Sequence, residues 1–88
     1  MTVITYAGNA RSLYIKAIRA ACNGQQDEAQ HLLGEGKESY NRAHDAHLQL
    51  FSAENGGLLN MNLLVVHAED QLMSAENFGI LAEELALA

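Results

Sequence analysis

The segment Asn62-Leu-Leu-Val-Val-His-Ala-Glu-Asp-Gln-Leu-Met-Ser74 has the apolar spacing of an α-helix that packs against other helices. At about 100° per residue, positions three and four apart share one stripe of such a helix. Here the stripe consists of Leu59, Leu63, Val66, Asp70, Met73 and Asn77. We expect it to face the core, with Asp70 at its centre and His67 one turn earlier, about 60° to one side. A lone buried carboxylate must be paired, protonated or bound to metal, because burying a bare charge is costly.

Two further helices are predicted before this one. The first runs from about Thr5 to Asn23, where Asn23-Gly24 is a strong stop signal. The second runs from about Gln26 to Asn55, which Gly56 and Gly57 follow, and the third from Leu58 to about Leu87. The predicted inward positions are Val3, Ala7, Ala10, Tyr14, Ala17 and Ala21 in the first helix, and Ala29, Leu33, Gly36, Tyr40, Ala43, His47, Leu50 and Glu54 in the second.

These elements predict an all-α fold, an antiparallel up-down-up three-helix bundle that forms one domain over residues 1–88. The chain has no proline and is 49% hydrophobic, which favours long uninterrupted helices over disorder. A domain this small buries only about 60% of its unfolded surface, so self-association is attractive. The start of the third helix is apolar nearly all round, at Leu58, Leu59, Met61, Leu63, Leu64, Val65 and Val66. We therefore expect burial on two sides, against its own bundle and against other subunits.

Charge and composition narrow the possible functions. The formal net charge is -6 at pH 7, and such a surface repels phosphate backbones, so we expect no nucleic-acid partner. The sequence has no apolar run of about 18 residues and no basic and apolar N-terminal signal, so we expect a cytoplasmic protein. Its single cysteine, Cys22, excludes an internal disulfide and a cysteine zinc cage, and we expect it to be a small buried residue.

The four histidines carry the chemistry that the sequence offers. We expect His31 and His44 at the surface and His47 at the edge of the core with a satisfied hydrogen bond. The spacing of His44 and His47 could hold a metal, but no further ligands accompany them. His67 differs because a neutral imidazole can attack a phosphoryl group, and Glu69 and Asp70 could hydrogen-bond it or a helper group. From spacing alone, a structural pairing of His67 with Asp70 is the better interpretation.

Asp70 also raises a symmetry argument. If the third helices of identical subunits meet around an axis, their Asp70 side chains converge, and such close like charges cannot all stay ionised and unpaired. A hard divalent cation such as Mg²⁺ would neutralise them through oxygen ligands. Protonation, or a salt bridge to one of the five basic residues, would also do so.

Three motifs together resemble a known family. The run from Leu63 to Met73, Leu-Leu-Val-Val-His-Ala-Glu-Asp-Gln-Leu-Met, is similar to the phosphorylation segment of the lactose/cellobiose-specific enzyme IIA components of the bacterial phosphotransferase system. Ala7-Gly-Asn-Ala-Arg-Ser12 resembles the first-helix motif of that family. Ala43-His-x-x-His-Leu-x-Leu50, followed by Glu54, resembles its second-helix pattern. The likeness covers nearly the whole chain in order.

The resemblance implies a homotrimer of three-helix bundles and a role for two residues. His67 would carry a phosphoryl group from the histidine protein HPr to a cysteine of the cognate IIB component, and the membrane component IIC would use it during sugar uptake. Asp70 matches the aspartate that gathers around a shared metal ion, which we take to be Mg²⁺. The sugar stays open among lactose, cellobiose, chitobiose and other β-linked disaccharides. Glu69, Gln71 and His47 depart from the usual Gln, His and Gln of the family.

Two other functions remain as alternatives. A histidine phosphotransfer domain of two-component signalling also places one histidine on a helical bundle. Such domains usually have lysine and glycine just after the histidine, where this chain has Ala68-Glu69-Asp70. The other alternative is a non-catalytic, metal-templated assembly module in which His67 and Asp70 only set the register of the helices.

Overall fold

A computed structural model describes residues 2–49 and 63–87, with side chains from residue 66 onward in the last segment. Within these residues the chain forms three α-helices and no strand. They are α1 (Thr2–Cys22), α2 (Gln26–Gln49) and α3 (Leu63–Ala86). The predicted all-α class is confirmed for the described part of the chain. The predicted end of the second helix near Asn55 and start of the third at Leu58 lie outside the described residues.

The end of α1 is the turn that the sequence predicts. Gly24 adopts a φ of 76°, in the left-handed region that glycine enters without steric cost. The amide of Gln25 donates to the carbonyl of Ala20 (2.9 Å) and the amide of Gly24 to that of Ala21 (3.1 Å). This pair of bonds is a Schellman motif, which satisfies carbonyls left over at the helix end. The predicted stop at Asn23-Gly24 is therefore confirmed.

The core of the bundle is built mainly from alanine. The buried apolar cluster contains Ala7, Ala10, Tyr14, Ala17, Ala20, Ala29, Leu33, Ala43, Leu72, Ala75, Ala82 and Ala86. Half of the predicted inward positions of α1 and α2 belong to it, and Val3 and Gly36 are buried as well. Ala20 replaces Ala21 as the buried residue near the end of α1, and Tyr40 and His47 are only partly buried. Leu50 and Glu54 lie outside the described residues. Small side chains on facing helices let the helix axes approach closely.

Tyr14 fills the space between the three helices. A Cβ atom added at Gly36 would lie 2.6 Å from the Tyr14 ring, and one added at Gly79 would lie 2.9 Å from it. Gly36 in α2 and Gly79 in α3 therefore provide room for the ring, and α3 continues through Gly79 without a break. Gly34 has nothing within 4 Å of its added Cβ, so close packing explains only Gly36 of the two glycines in α2.

The residue pairs that join the helices follow a consistent order. Between α1 and α2 the pairs are Asn9–Ser39 and Tyr14–Gly36. Between α1 and α3 they are Arg11–Ser74 and Tyr14–Gly79. Between α2 and α3 they are Gln30–Ala86, Lys37–Glu83 and His47–Glu69. Residue numbers therefore rise together along α1 and α3 and fall along α2. The end of α3 that carries His67 lies beside the last turns of α2.

Two predictions about burial are wrong. The stripe of Val66, Asp70, Met73 and Asn77 does not face the core but lies exposed on the outside of the subunit. The core cluster instead takes Leu72, Ala75, Ala82 and Ala86 from α3, mostly small residues that let α3 approach the alanine-lined faces of α1 and α2 closely. Cys22 is exposed rather than buried, since it is the last residue of α1 and lies beyond the core. Leu59 and the side chain of Leu63 lie outside the described residues.

None of the helices in the described residues combines the length and the apolar character needed to cross a membrane.

Candidate functional site

His67 lies in the second turn of α3 with its side chain exposed. Its neighbour Ala68 is fully buried, so the backbone beneath the imidazole is anchored in the bundle while the ring points outward. In the described part of the chain, no hydrogen bond or ion pair joins His67 to Glu69 or Asp70. The predicted structural pairing of His67 with Asp70 is thus not seen within the subunit. An exposed ring on a fixed helix is suited to nucleophilic attack on an incoming group.

Asp70 is exposed one turn after His67. Above and below it on the same face lie large apolar side chains that also face solvent, with Val66 39%, Met73 62% and Ile80 56% exposed. Among the described ion pairs none involves Asp70, so the expected alternative of a salt bridge is not found within the subunit. We call this surface, formed by Val66, Asp70, Met73, Asn77 and Ile80, the outer face of α3.

The described residues of a single subunit offer no metal site of their own. No group of three or more histidine, cysteine, aspartate and glutamate side chains in residues 2–49 and 66–87 could hold an ion together. One subunit brings the carboxylate of Asp70 alone to the outer face, while Mg²⁺ requires about six oxygen ligands. Within one described subunit, Asp70 could therefore supply only part of the ligands of such an ion.

A polar contact joins α2 and α3 on the side of α3 away from His67. Nε2 of His47 in α2 lies 3.3 Å from Oε1 of Glu69, and the two side chains are 18% and 35% exposed. The predicted core-edge histidine with a satisfied hydrogen bond is therefore confirmed for His47. Glu69, which the sequence offered as a partner for His67, faces α2 instead. Helical spacing alone would have shown this, because residues two apart lie about 200° from each other around a helix.

The remaining histidines lie where the sequence predicts them. His31 is exposed and pairs with Glu35 one turn later in α2 (Nε2 to Oε1, 3.0 Å). His44 is exposed and stacks on the ring of Tyr40 at 6.2 Å between centroids. His31 lies toward the other end of α2, whereas His44 lies one turn before His47. The site on the described surface consists of His67 and Asp70 on α3, with the His47–Glu69 contact on the side of α3 away from His67.

Comparison with known proteins identifies relatives over almost the whole chain. The family described as "PTS system, Lactose/Cellobiose specific IIA subunit" matches residues 1–87. The chain is 39% identical over 84 residues to the oligo-beta-mannoside-specific EIIA component of Bacillus subtilis, covering 94% of this chain and 76% of that protein. It is 38% identical over 86 residues to the cellobiose-specific EIIA component of Lactococcus lactis, covering 97% and 74%.

A third relative extends the range of sugars. The chain is 33% identical over 86 residues to the N,N'-diacetylchitobiose-specific EIIA component of Escherichia coli, covering 97% of this chain and 71% of that protein. No solved structure gives a significant match. The three relatives are named for three different sugars, so likeness to them does not single out one. With its exposed histidine on α3 and a family match over residues 1–87, the chain belongs to the lactose/cellobiose-specific IIA subunits of the phosphotransferase system.

Proposed function

We propose that this chain is a phosphohistidine carrier that accepts a phosphoryl group from HPr on His67 and passes it to a cysteine of its cognate IIB component. Components of this family are phosphotransferase components that carry a phosphoryl group. The observation that carries the assignment to His67 is its exposure on α3, in the segment that resembles the phosphorylation segment of the family. HPr and IIB are the partners that membership of the family implies.

The transfer consists of two displacements at phosphorus. In the first, the lone pair of a His67 ring nitrogen forms a P–N bond while the P–N bond to the histidine of HPr breaks, and its electron pair stays on that imidazole. In the second, the thiolate of IIB forms an S–P bond while the bond to His67 breaks, and the neutral ring is restored. Both partners must reach the ring, and its exposed position permits this. The phosphorylated ring carries about -1.5 to -2 charges, and the nearby Asp70 carboxylate favours handing the group on.

We further propose that three copies of the chain assemble through the outer face of α3. This face exposes Val66, Met73 and Ile80, and covering it with identical faces would remove the apolar side chains from water. The same arrangement brings the Asp70 carboxylates together at the axis. Their oxygens, with water, form the donor set that Mg²⁺ prefers, and the ion would neutralise the converging charges. Asp70 would thus hold the metal, and His67, about 60° away around the helix, would stay at the edge of the assembly.

Three finer assignments belong to the same proposal. The order of the contacts between the helices supports the antiparallel up-down-up arrangement, within one domain over residues 1–88. The phosphoryl donor and acceptor place the carrier in the cytoplasm, with the membrane component IIC reached only through IIB. The sugar is a β-linked disaccharide of the lactose, cellobiose or chitobiose type, supported by the range of the relatives.

The test is phosphorylation in a reconstituted system. The protein is incubated with phosphoenolpyruvate, enzyme I and HPr, and we expect an acid-labile, base-stable label that is absent from His67→Ala. His44→Ala, a change at another exposed histidine, serves as the matched control and should be labelled like the wild type. Absence of label on the wild type, or equal label on His67→Ala, would refute the carrier and favour a non-catalytic assembly module. Label that depends on a two-component kinase instead of HPr would favour the signalling domain.

A further inference from the structure

Glu69 and His47 form a cross-link between α2 and α3 close to His67. Their side chains meet at 3.3 Å, and the contact is partly shielded from solvent, with His47 18% exposed. Among the described residues, polar contacts between these helices also lie toward the other end, at Lys37–Glu83 (3.5 Å) and at Gln30 with the carbonyl of Ala86 (3.4 Å). Both partners of the Lys37–Glu83 pair are about half exposed. The His47–Glu69 contact is therefore the more shielded of the two side-chain pairs and the one nearer to His67.

The contact joins two different helices, with His47 in α2 and Glu69 in α3. The two positions are 22 residues apart in the chain, yet their side chains are hydrogen-bond partners across two helices. Each side chain supplies one half of this contact between α2 and α3, so removing either one removes the contact.

The His47–Glu69 contact lies where it can limit the rotation of α3 about its own axis. Glu69 lies about 200° around the helix from His67, so the two side chains act on opposite sides of the same axis. A helix with its side chains is about 10–12 Å across, so a rotation of about 10° moves a side-chain tip by about 1 Å. A misplacement of about 1 Å at a reacting group can lower a rate about 100-fold. Together with the packing of the buried Ala68, holding Glu69 against α2 thus helps to fix where the imidazole of His67 points.

We propose that His47 is a positioning residue for phosphoryl transfer at His67, acting through the Glu69 carboxylate. The inference rests on the proposed function of His67. His47 does not touch the reacting atoms; it holds the turn of α3 on which they sit. The two residues act as a unit, so that loss of either one has the effect of losing both.

The experiment measures transfer from phosphorylated HPr to the full chain in steady state. We expect His47→Ala and Glu69→Ala each to lower kcat about 10-fold with KM changed less than about 2-fold, since the docking surface stays in place. The double variant should be no slower than either single variant. His47→Gln should recover most of the rate, because its carboxamide can donate to Glu69. His47→Leu occupies most of the volume of the imidazole but cannot donate a hydrogen bond to Glu69. If His47→Ala fails to fold, the kcat of His47→Leu tests the positioning role in its place.

The matched control is His31→Ala. His31 also pairs with a glutamate, Glu35 at 3.0 Å, but within α2 and with the two side chains 69% and 50% exposed, so its loss should leave kcat unchanged. Wild-type kcat in both His47→Leu and Glu69→Ala, losses that add in the double variant, or a His47→Gln as slow as His47→Ala would each overturn the inference while the carrier function stands. A wild type that accepts no phosphoryl group would remove the carrier function, and this inference with it.

Discussion

The inner face of α3, which packs in the core, and its outer face differ in the size of their apolar side chains. The buried residues of the inner face are mostly alanines, Ala68, Ala75, Ala82 and Ala86, with Leu72 as the larger exception. The outer face exposes larger apolar side chains, including Met73 and Ile80, around the carboxylate of Asp70. Small residues let α1 and α2 approach α3 closely, so the subunit folds on its least bulky side. The larger side chains are then available to other copies of the chain, as we propose.

The largest effect on the free energy of unfolding is expected when an aspartate is placed on the inner face of α3, with an aspartate on the outer face as the comparison. Ala75 is fully buried, and Ala75→Asp leaves an unpaired carboxylate in the core, so the free energy of unfolding should fall by about 3–5 kcal/mol. Met73, which is 62% exposed, is the matched control. Met73→Asp should keep the helical circular dichroism of the wild type but sediment as a smaller species. Equal loss of helix in both variants under urea would show that the two faces do not differ.

The second largest effect on the free energy of unfolding is expected when the space next to Tyr14 is filled. In Gly36→Ala the new Cβ would meet the ring at 2.6 Å, so the tyrosine or a helix must move. We expect a loss of about 1–3 kcal/mol in urea unfolding, the usual range for overpacking. Gly34→Ala, two residues earlier with nothing within 4 Å, should instead gain up to about 1 kcal/mol from helix propensity. A stabilising Gly36→Ala would mean that the inner face is not tightly packed.

The packing of Tyr14 also predicts a pH dependence. Burial, reinforced by the nearby Tyr40 and Glu83, raises the pKa of Tyr14 from 10.0 to about 12. Between these values the folded protein keeps the phenolic proton and the unfolded chain releases it, so stability falls as the pH rises. The free energy of unfolding should decrease by about 2 kcal/mol over this window. The measurement is urea unfolding from pH 9 to 12, a range set by the ordinary tyrosine pKa of about 10.

Tyr14→Phe is the control for this pH dependence. It removes the titrating hydroxyl and should flatten most of the slope. A smaller slope should remain from Tyr40, because burial, and then the charge of Glu76, raises the pKa of that phenol as well. A slope in Tyr14→Phe as steep as in the wild type would show that another group is responsible.

The smallest effect on a single subunit is expected at Asp70. Because this side chain is exposed, Asp70→Leu should change the unfolding free energy of the isolated subunit by less than about 0.5 kcal/mol. Its effect should appear in the assembly. Chelation with EDTA should lower the melting temperature of the wild type at high protein concentration but leave that of Asp70→Leu unchanged. An equal change in the melting temperature of the two proteins on addition of EDTA would contradict a metal site at Asp70.

Local signals in the sequence predicted several features of the fold. The Asn23-Gly24 stop depends on the conformation of one glycine, and the inward positions of α1 follow from apolar spacing alone. The role of His67 comes from the resemblance of its segment to the family and stays a prediction. The turn at Gly24 and the inward positions of α1 are decided within a few residues of the chain, where propensity and spacing are sufficient.

The wrong predictions concern choices between helices. The stripe through Val66, Asp70 and Met73 has the right period for a buried face, but period does not say which of two apolar faces turns inward. That choice depends on the shape of the neighbours, which here pack against an α3 face made mostly of alanine, with Leu72 as the larger residue. The contact of His47 with Glu69 was missed for a related reason, since the two residues come together only when α2 and α3 are packed. Sequence spacing within one helix contains no information about such a pair.

Nuclear magnetic resonance of the histidine rings can show directly whether His67 is the phosphorylated residue. The protein is labelled with ¹⁵N-histidine, and its imidazole signals are recorded before and after addition of phosphoenolpyruvate, enzyme I and HPr. We expect that, of the four rings, only that of His67 shows the large nitrogen shift and the phosphorus coupling of a new P–N bond. A phosphorylated ring at His31, His44 or His47, or four rings without phosphorus, would contradict it.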